Sequence, residues 1–117
     1  MQIKVWNRDR DTILAERASI ADTSAARRTG LLKHTSLGPG EGLWISPCES
    51  VHSFGMKFTI DVVYLDRKKR VKKVRKAMVP RRISACLTAH SVLELPEGTI
   101  EATRTEPGDQ LEFEKLL

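Results

Sequence analysis

The chain has 117 residues, 40% of them hydrophobic and 30% charged, with a formal net charge of +5 at pH 7. That is enough chain to bury one core without disulfides or a metal as obligatory staples, so a single domain over residues 1–117 is expected. No run of about 18 apolar residues occurs, and the N-terminal MQIKVWNRDRDTILAER has no apolar stretch of signal-peptide length, which argues against a membrane span and against export. Two cysteines, Cys48 and Cys86, without a secretory signal read as reduced thiols, and the expected compartment is the cytoplasm.

In chain order, Gln2 to Trp6 alternates polar and apolar side chains, and Thr12 to Glu16 follows a charged turn, so the chain opens as an antiparallel hairpin. Asp22, Thr23 and Ser24 offer N-cap oxygens and Gly30 a stop, which predicts a short helix over residues 23–33. Glycines and a proline between Leu37 and Gly42 mark a loop, and Leu43-Trp44-Ile45 reads as a buried strand closed by Pro47. Phe58 to Leu65 is β-branched and aromatic, a central strand. Asp66 to Lys69 turns it, and Arg70 to Val79 returns as its antiparallel partner. Ser91 to Leu95 is a further strand, Glu97 to Thr103 a short helix, and Leu111 to Glu114 an edge strand. Strands joined by short turns, interrupted by one or two short helices, indicate a mainly antiparallel α+β domain, with rolling toward a barrel left open.

The ordered set Arg28-x-Gly30-Leu31, Gly42-Leu43-Trp44-Ile45, Phe54-Gly55-Met56-Lys57-Phe58-x-Ile60 through Asp66, Pro80-x-Arg82, Val92 through Pro96-x-Gly98 and Gly108-Asp109 resembles the domain of unknown function 192 family over nearly the whole chain. The resemblance implies a small, mainly β single domain of prokaryotic type with no established biochemical activity. Members often carry signal peptides, and none is read at this N-terminus.

Chemistry-bearing residues concentrate between Cys48 and Met56. Cys48-x-x-x-His52 and Cys86-x-x-x-His90 supply two thiols and two imidazoles, the makings of a tetrahedral zinc site. On an extended strand residues four apart lie roughly 13 Å from each other, so chelation needs an irregular path. The same four residues are the candidates for a metal-dependent or thiol hydrolase, a histidine acting as base. Met56 beside Cys48 and His52 would favour copper(I). Against these stands the plain reading, small buried cysteines with hydrogen-bonded histidines nearby. Asp61, Glu94 and Asp109, on or beside strands, read as buried or half-buried salt-bridge partners of Arg28 or Arg82. If there is a pocket, the sequence places it where His52, Phe54, Gly55 and Met56 meet Arg28. Gly55 provides a positive φ angle or room for a ligand.

Residues 67–76 carry eight bases (Arg67, Lys68, Lys69, Arg70, Lys72, Lys73, Arg75 and Lys76) and no acid, so the remainder of the chain is net negative. Such a hairpin is either a polyanion or nucleic-acid footprint, or a contact for an acidic partner, or a solvated strand whose lysines discourage edge-to-edge pairing. It holds no aromatic to stack a base. The expected function is a non-enzymatic module that binds a small ligand or peptide near the Phe54-Gly55-Met56 turn, without cofactor; nucleic-acid binding and the hydrolase stand as alternatives.

Overall fold

The computed structural model describes residues 1–117. β1 (Gln2–Asn7) and β2 (Thr12–Ala21) form the opening antiparallel hairpin. Alternation turns Ile3 and Val5 inward. α1 (Ser24–Thr29) is shorter than the sequence predicts. The Thr23 side chain accepts from the Ala26 N–H at 3.1 Å, and Gly30, at φ +48°, ends the helix by donating to the Ala26 carbonyl. β3 (Glu41–Ile45) then pairs parallel with β2, a connection that requires a crossover, here supplied by α1 and its loop.

Next come β4 (Ser50–His52), β5 (Ile60–Leu65), β6 (Val71–Met78), β7 (Ile83–Ala85), β8 (Ser91–Pro96), α2 (Thr99–Thr103) and β9 (Leu111–Leu116). Seven strands make one sheet in the order β6-β5-β8-β3-β2-β1-β9, antiparallel except for the β2–β3 pair. β4 and β7 make a separate two-stranded sheet that the sequence pattern does not announce. The edge strands of the large sheet meet at one corner only, through an Arg70–Gln110 bridge and bonds such as Val71 N–H to the Asp109 carbonyl at 2.8 Å. The sheet is not closed into a barrel.

Both faces of the sheet are covered. One face gathers Val5, Ala18, Val63, Leu93 and Leu95, with Ile100 of α2 packed among them. The other gathers Ile45, Val62, Tyr64 and Val92 beneath Leu31, Val51 and Met56. All six residues of β5 are buried, as a strand covered on both sides requires. Gly42 makes the β3–β8 approach feasible: a Cβ there would lie 3.2 Å from the Glu94 carbonyl and 3.1 Å from Leu95 Cδ2.

Two of the three buried carboxylates hold this frame. Asp61 accepts from the Ile100 N–H at 2.8 Å, serving α2 as the cap that Gly98 has no side chain to provide, and from the Ala77 N–H at 2.9 Å, where β6 bulges. Asp109 accepts from Asn7 Nδ2 at 3.0 Å and Arg10 Nε at 3.1 Å, tying the first turn to the last. These bonds, with the Arg10 charge, hold its carboxyl below the usual range in spite of burial. Neither pairs with Arg28 or Arg82 as the sequence reading proposed; Arg82 instead donates its backbone N–H to Ser53 Oγ at 2.9 Å. Asp61→Ala leaves two amide donors unmatched and is expected to cost about 3 kcal/mol, read as a lowered urea midpoint with an unchanged slope.

Candidate functional site

Parity along β8 puts one acid where apolar residues belong. Leu93 and Leu95 face the first core, so Glu94 faces the second, with Leu43 and Val62 as its cross-strand neighbours. It is 4% exposed and has neither hydrogen-bond nor ion-pair partner in the fold. Desolvation alone pushes its carboxyl up to about 7. Such a group, buried and unmatched, is costly unless something meets it.

Glu94 opens onto a cavity of about 150 Å³ between α1, the turn after it, the Ile45–Cys48 segment and β4. Arg27 and Arg28 in the last turn of α1 reach the cavity wall, and neither forms a salt bridge. Cys48, His52 and Met56 complete its polar and sulfur lining. The sequence-predicted residues therefore separate: Arg28, His52 and Met56 line the cavity, whereas Phe54 and Gly55 do not. Phe54 stacks obliquely on His52, ring centroids 5.9 Å apart, and stays 49% exposed. Gly55 sits at φ +83°, a turn conformation that favours glycine.

The two Cys-His pairs do not converge as a ligand set, because no three His, Cys, Asp or Glu side chains stand close enough to hold a metal ion. Cys48 Sγ donates to the Ser50 carbonyl at 3.1 Å, and Cys86 Sγ lies 3.6 Å from Thr88 Oγ1, so neither thiol is bonded to a histidine. The one link between the pairs is backbone, from Cys48 N–H to the His90 carbonyl at 2.9 Å. Burial pushes the Cys48 thiol up, opposite to what a nucleophile needs. The Tyr64 phenol beneath is also pushed up by burial.

The basic hairpin is less of a free surface than its composition suggests. Lys69 Nζ lies 5.2 Å from the ring centroids of both Trp44 and Phe113. Arg70 donates to the Gly108 carbonyl, Lys73 to the Ala85 carbonyl at 2.7 Å, and Lys76 pairs with Glu101 at 2.8 Å. Arg75 is half-buried with an unpartnered Nε. Arg67, Lys68 and Lys72 remain as exposed cations. Strand alternation sends successive bases to opposite faces, so they form no single stripe.

The fold defines a small, mainly antiparallel β domain, and the comparisons agree on that class. The model of the DUF192 family, described as "Uncharacterized ACR, COG1430", matches residues 5–113, and the chain belongs to that family. A UPF0127 protein of Thermococcus sibiricus is 29% identical over 113 residues, spanning 92% of this chain and 73% of the relative. Another from Pyrococcus furiosus is 36% identical over 73 residues, or 58% of this chain and 59% of that protein. Among solved structures, a Sinorhizobium meliloti protein described as a candidate transcription regulator has TM-score 0.83 at 18% identity, covering 96% of this chain and 92% of its own. A protein of unknown function from Novosphingobium aromaticivorans has TM-score 0.82 at 22% identity, covering 96% and 84%. At those identities the likeness is one of fold. No helix is long and apolar enough to cross a membrane.

Glu94, like Asp61 and Asp109, does not pair with Arg28 or Arg82 as the sequence reading expected, and of the three it alone is left without a partner. The signal was there in Val92-Leu93-Glu94-Leu95, an acid at an inward position of an otherwise apolar strand. Its pKa has a measurable effect on stability. The folded value, about 7, exceeds the ordinary 4.5, so the native state holds the proton more tightly and stability falls as pH rises between those values. The loss is absent below pH 4.5 and complete above about 7, amounting to about 3 kcal/mol. Glu94→Gln is expected to abolish this slope and to exceed the parent protein in urea midpoint at pH 8.

Proposed function

We propose that this protein is a non-enzymatic binding module that takes a small ligand, or the end group of a peptide, in the cavity between α1, β4 and β8. The observation that carries the reading is Glu94, a buried carboxylate without a partner, opening onto that cavity beside two unpaired guanidiniums. Pockets that recognise small molecules combine apolar walls with a few placed polar groups, and here Leu31, Ile45 and Val51 supply the apolar part. The raised Cys48 thiol and the lack of any thiol–histidine bond favour binding over thiol hydrolysis. Two free cysteines suit a reducing, cytoplasmic setting.

The polyanion reading has less support, since four of the eight bases in the hairpin are engaged within the fold. A fragment mixture titrated into isotope-labelled protein separates the two. The expected result is amide shifts at Cys48, Val51, His52, Met56 and Glu94, with Val51→Phe reducing affinity about tenfold by filling the space, 1.4 kcal/mol. Shifts confined to Arg67 through Lys76 would overturn the cavity reading.

A further inference from the structure

The polar groups around the cavity have a polarity that selects among ligands. Glu94 supplies one acid from the buried side. Arg27 and Arg28 supply two bases from α1, half-buried and exposed respectively. Acid and bases line one cavity yet form no ion pair. A ligand with a single negative charge would satisfy the guanidiniums and leave Glu94 buried against nothing. A ligand with a single positive charge would satisfy Glu94 and sit close to two like charges. Only a molecule bearing both, with its cation inward and its anion outward, meets every group.

We infer that the cavity binds a small zwitterion of the α-amino acid type, its ammonium on Glu94, its carboxylate on Arg27 and Arg28, and its side chain against Ile45, Val51 and Met56. The inference rests on the cavity reading above and narrows it to a chemical class. Size agrees: a cavity of about 150 Å³ holds a molecule of roughly benzene volume, which suits alanine or valine. Arginine suits the outer end, because its planar fork meets a carboxylate with two parallel bonds. The environment of Glu94 also makes binding proton-linked. The titratable and charged groups facing it are Arg27 and Arg28 from α1, Cys48 from the loop after β3, His52 from β4 and Tyr64 from β5, with Arg75 one strand beyond on β6. None pairs with its carboxylate, so an ammonium arriving there favours the ionised form and expels a proton.

The test uses the intact protein and four probes of similar size: L-alanine, ethylamine, propionate and lactate, titrated by calorimetry in two buffers of different ionisation heat and by NMR. L-Alanine is expected to bind most tightly and to release a proton near pH 7, with affinity rising about a hundredfold from pH 5 to pH 8 as Glu94 ionises. Glu94→Gln and the double variant Arg27→Gln/Arg28→Gln should each weaken alanine at least about tenfold, and only the first should abolish proton release. Equal affinity for ethylamine would remove the carboxylate from the recognition and overturn the inference. So would propionate or lactate binding as tightly as alanine with uptake of a proton, the mark of a protonated Glu94 donating to an anion. If all four probes leave Cys48, Val51 and Glu94 unshifted while the fragment mixture shifts them, the zwitterion inference is wrong and the cavity reading stands. If neither shifts them, both are wrong.

Discussion

The pairing of β8 between β3 and β5 is the constraint on which the rest of the structure depends. Its register aligns Leu93 with Trp44 and Val63 on one face, and Val92 with Ile45 and Tyr64 on the other. A strand buried on both faces cannot slip by one residue without exchanging its two sets of side chains. The slip would carry Leu93 and Leu95 out of the core beside α2 and put Glu94 into it. Gly42 protects the same register from the β3 side, because the backbone of Glu94 passes where a side chain would otherwise stand.

Three carboxylates are buried in this frame, and the fold treats them differently. Asp61 and Asp109 each meet two or more donors and connect elements that the chain alone leaves apart. Buried charges in proteins are ordinarily handled in this way, since hydrogen bonds replace the water they lose. Glu94 is the exception. It stands on a strand paired on both sides and buried at five of its six residues, where packing holds an unmatched carboxyl in place. Sites of this kind concentrate function because local stability is given up there and recovered in the surroundings.

Much of the sheet was legible from the chain. The β-branched and aromatic run from Phe58 to Leu65 declares a central strand and Ser91 to Leu95 a further one, and Thr23 and Gly30 mark where α1 begins and stops. The expected helix reaches residue 33, whereas α1 stops at Thr29 because Gly30, at φ +48°, turns the backbone out of the helix. β4 and β7 left no trace, being three-residue strands with polar members, Ser50, His52 and Ser84, that find each other only through the tertiary fold. The cavity was legible in fragments. Composition draws attention to His52 and Met56, but whether a carboxylate such as Glu94 has a partner is a property of three-dimensional neighbours, and spacing along a strand does not contain it.

The small β4–β7 sheet has a consequence for how the molecule moves. It joins segments distant in the chain, so its formation waits on closing a long loop, and a two-stranded sheet gains little stability by itself. Local opening of such a unit takes far less free energy than opening the seven-stranded sheet behind it. The interior side of the cavity is therefore rigid and its outer side soft. Amide protons of Val51 and Ser84 should exchange with solvent well before those of Val62 and Leu93, and the path between solvent and Glu94 runs through the most yielding wall of the domain.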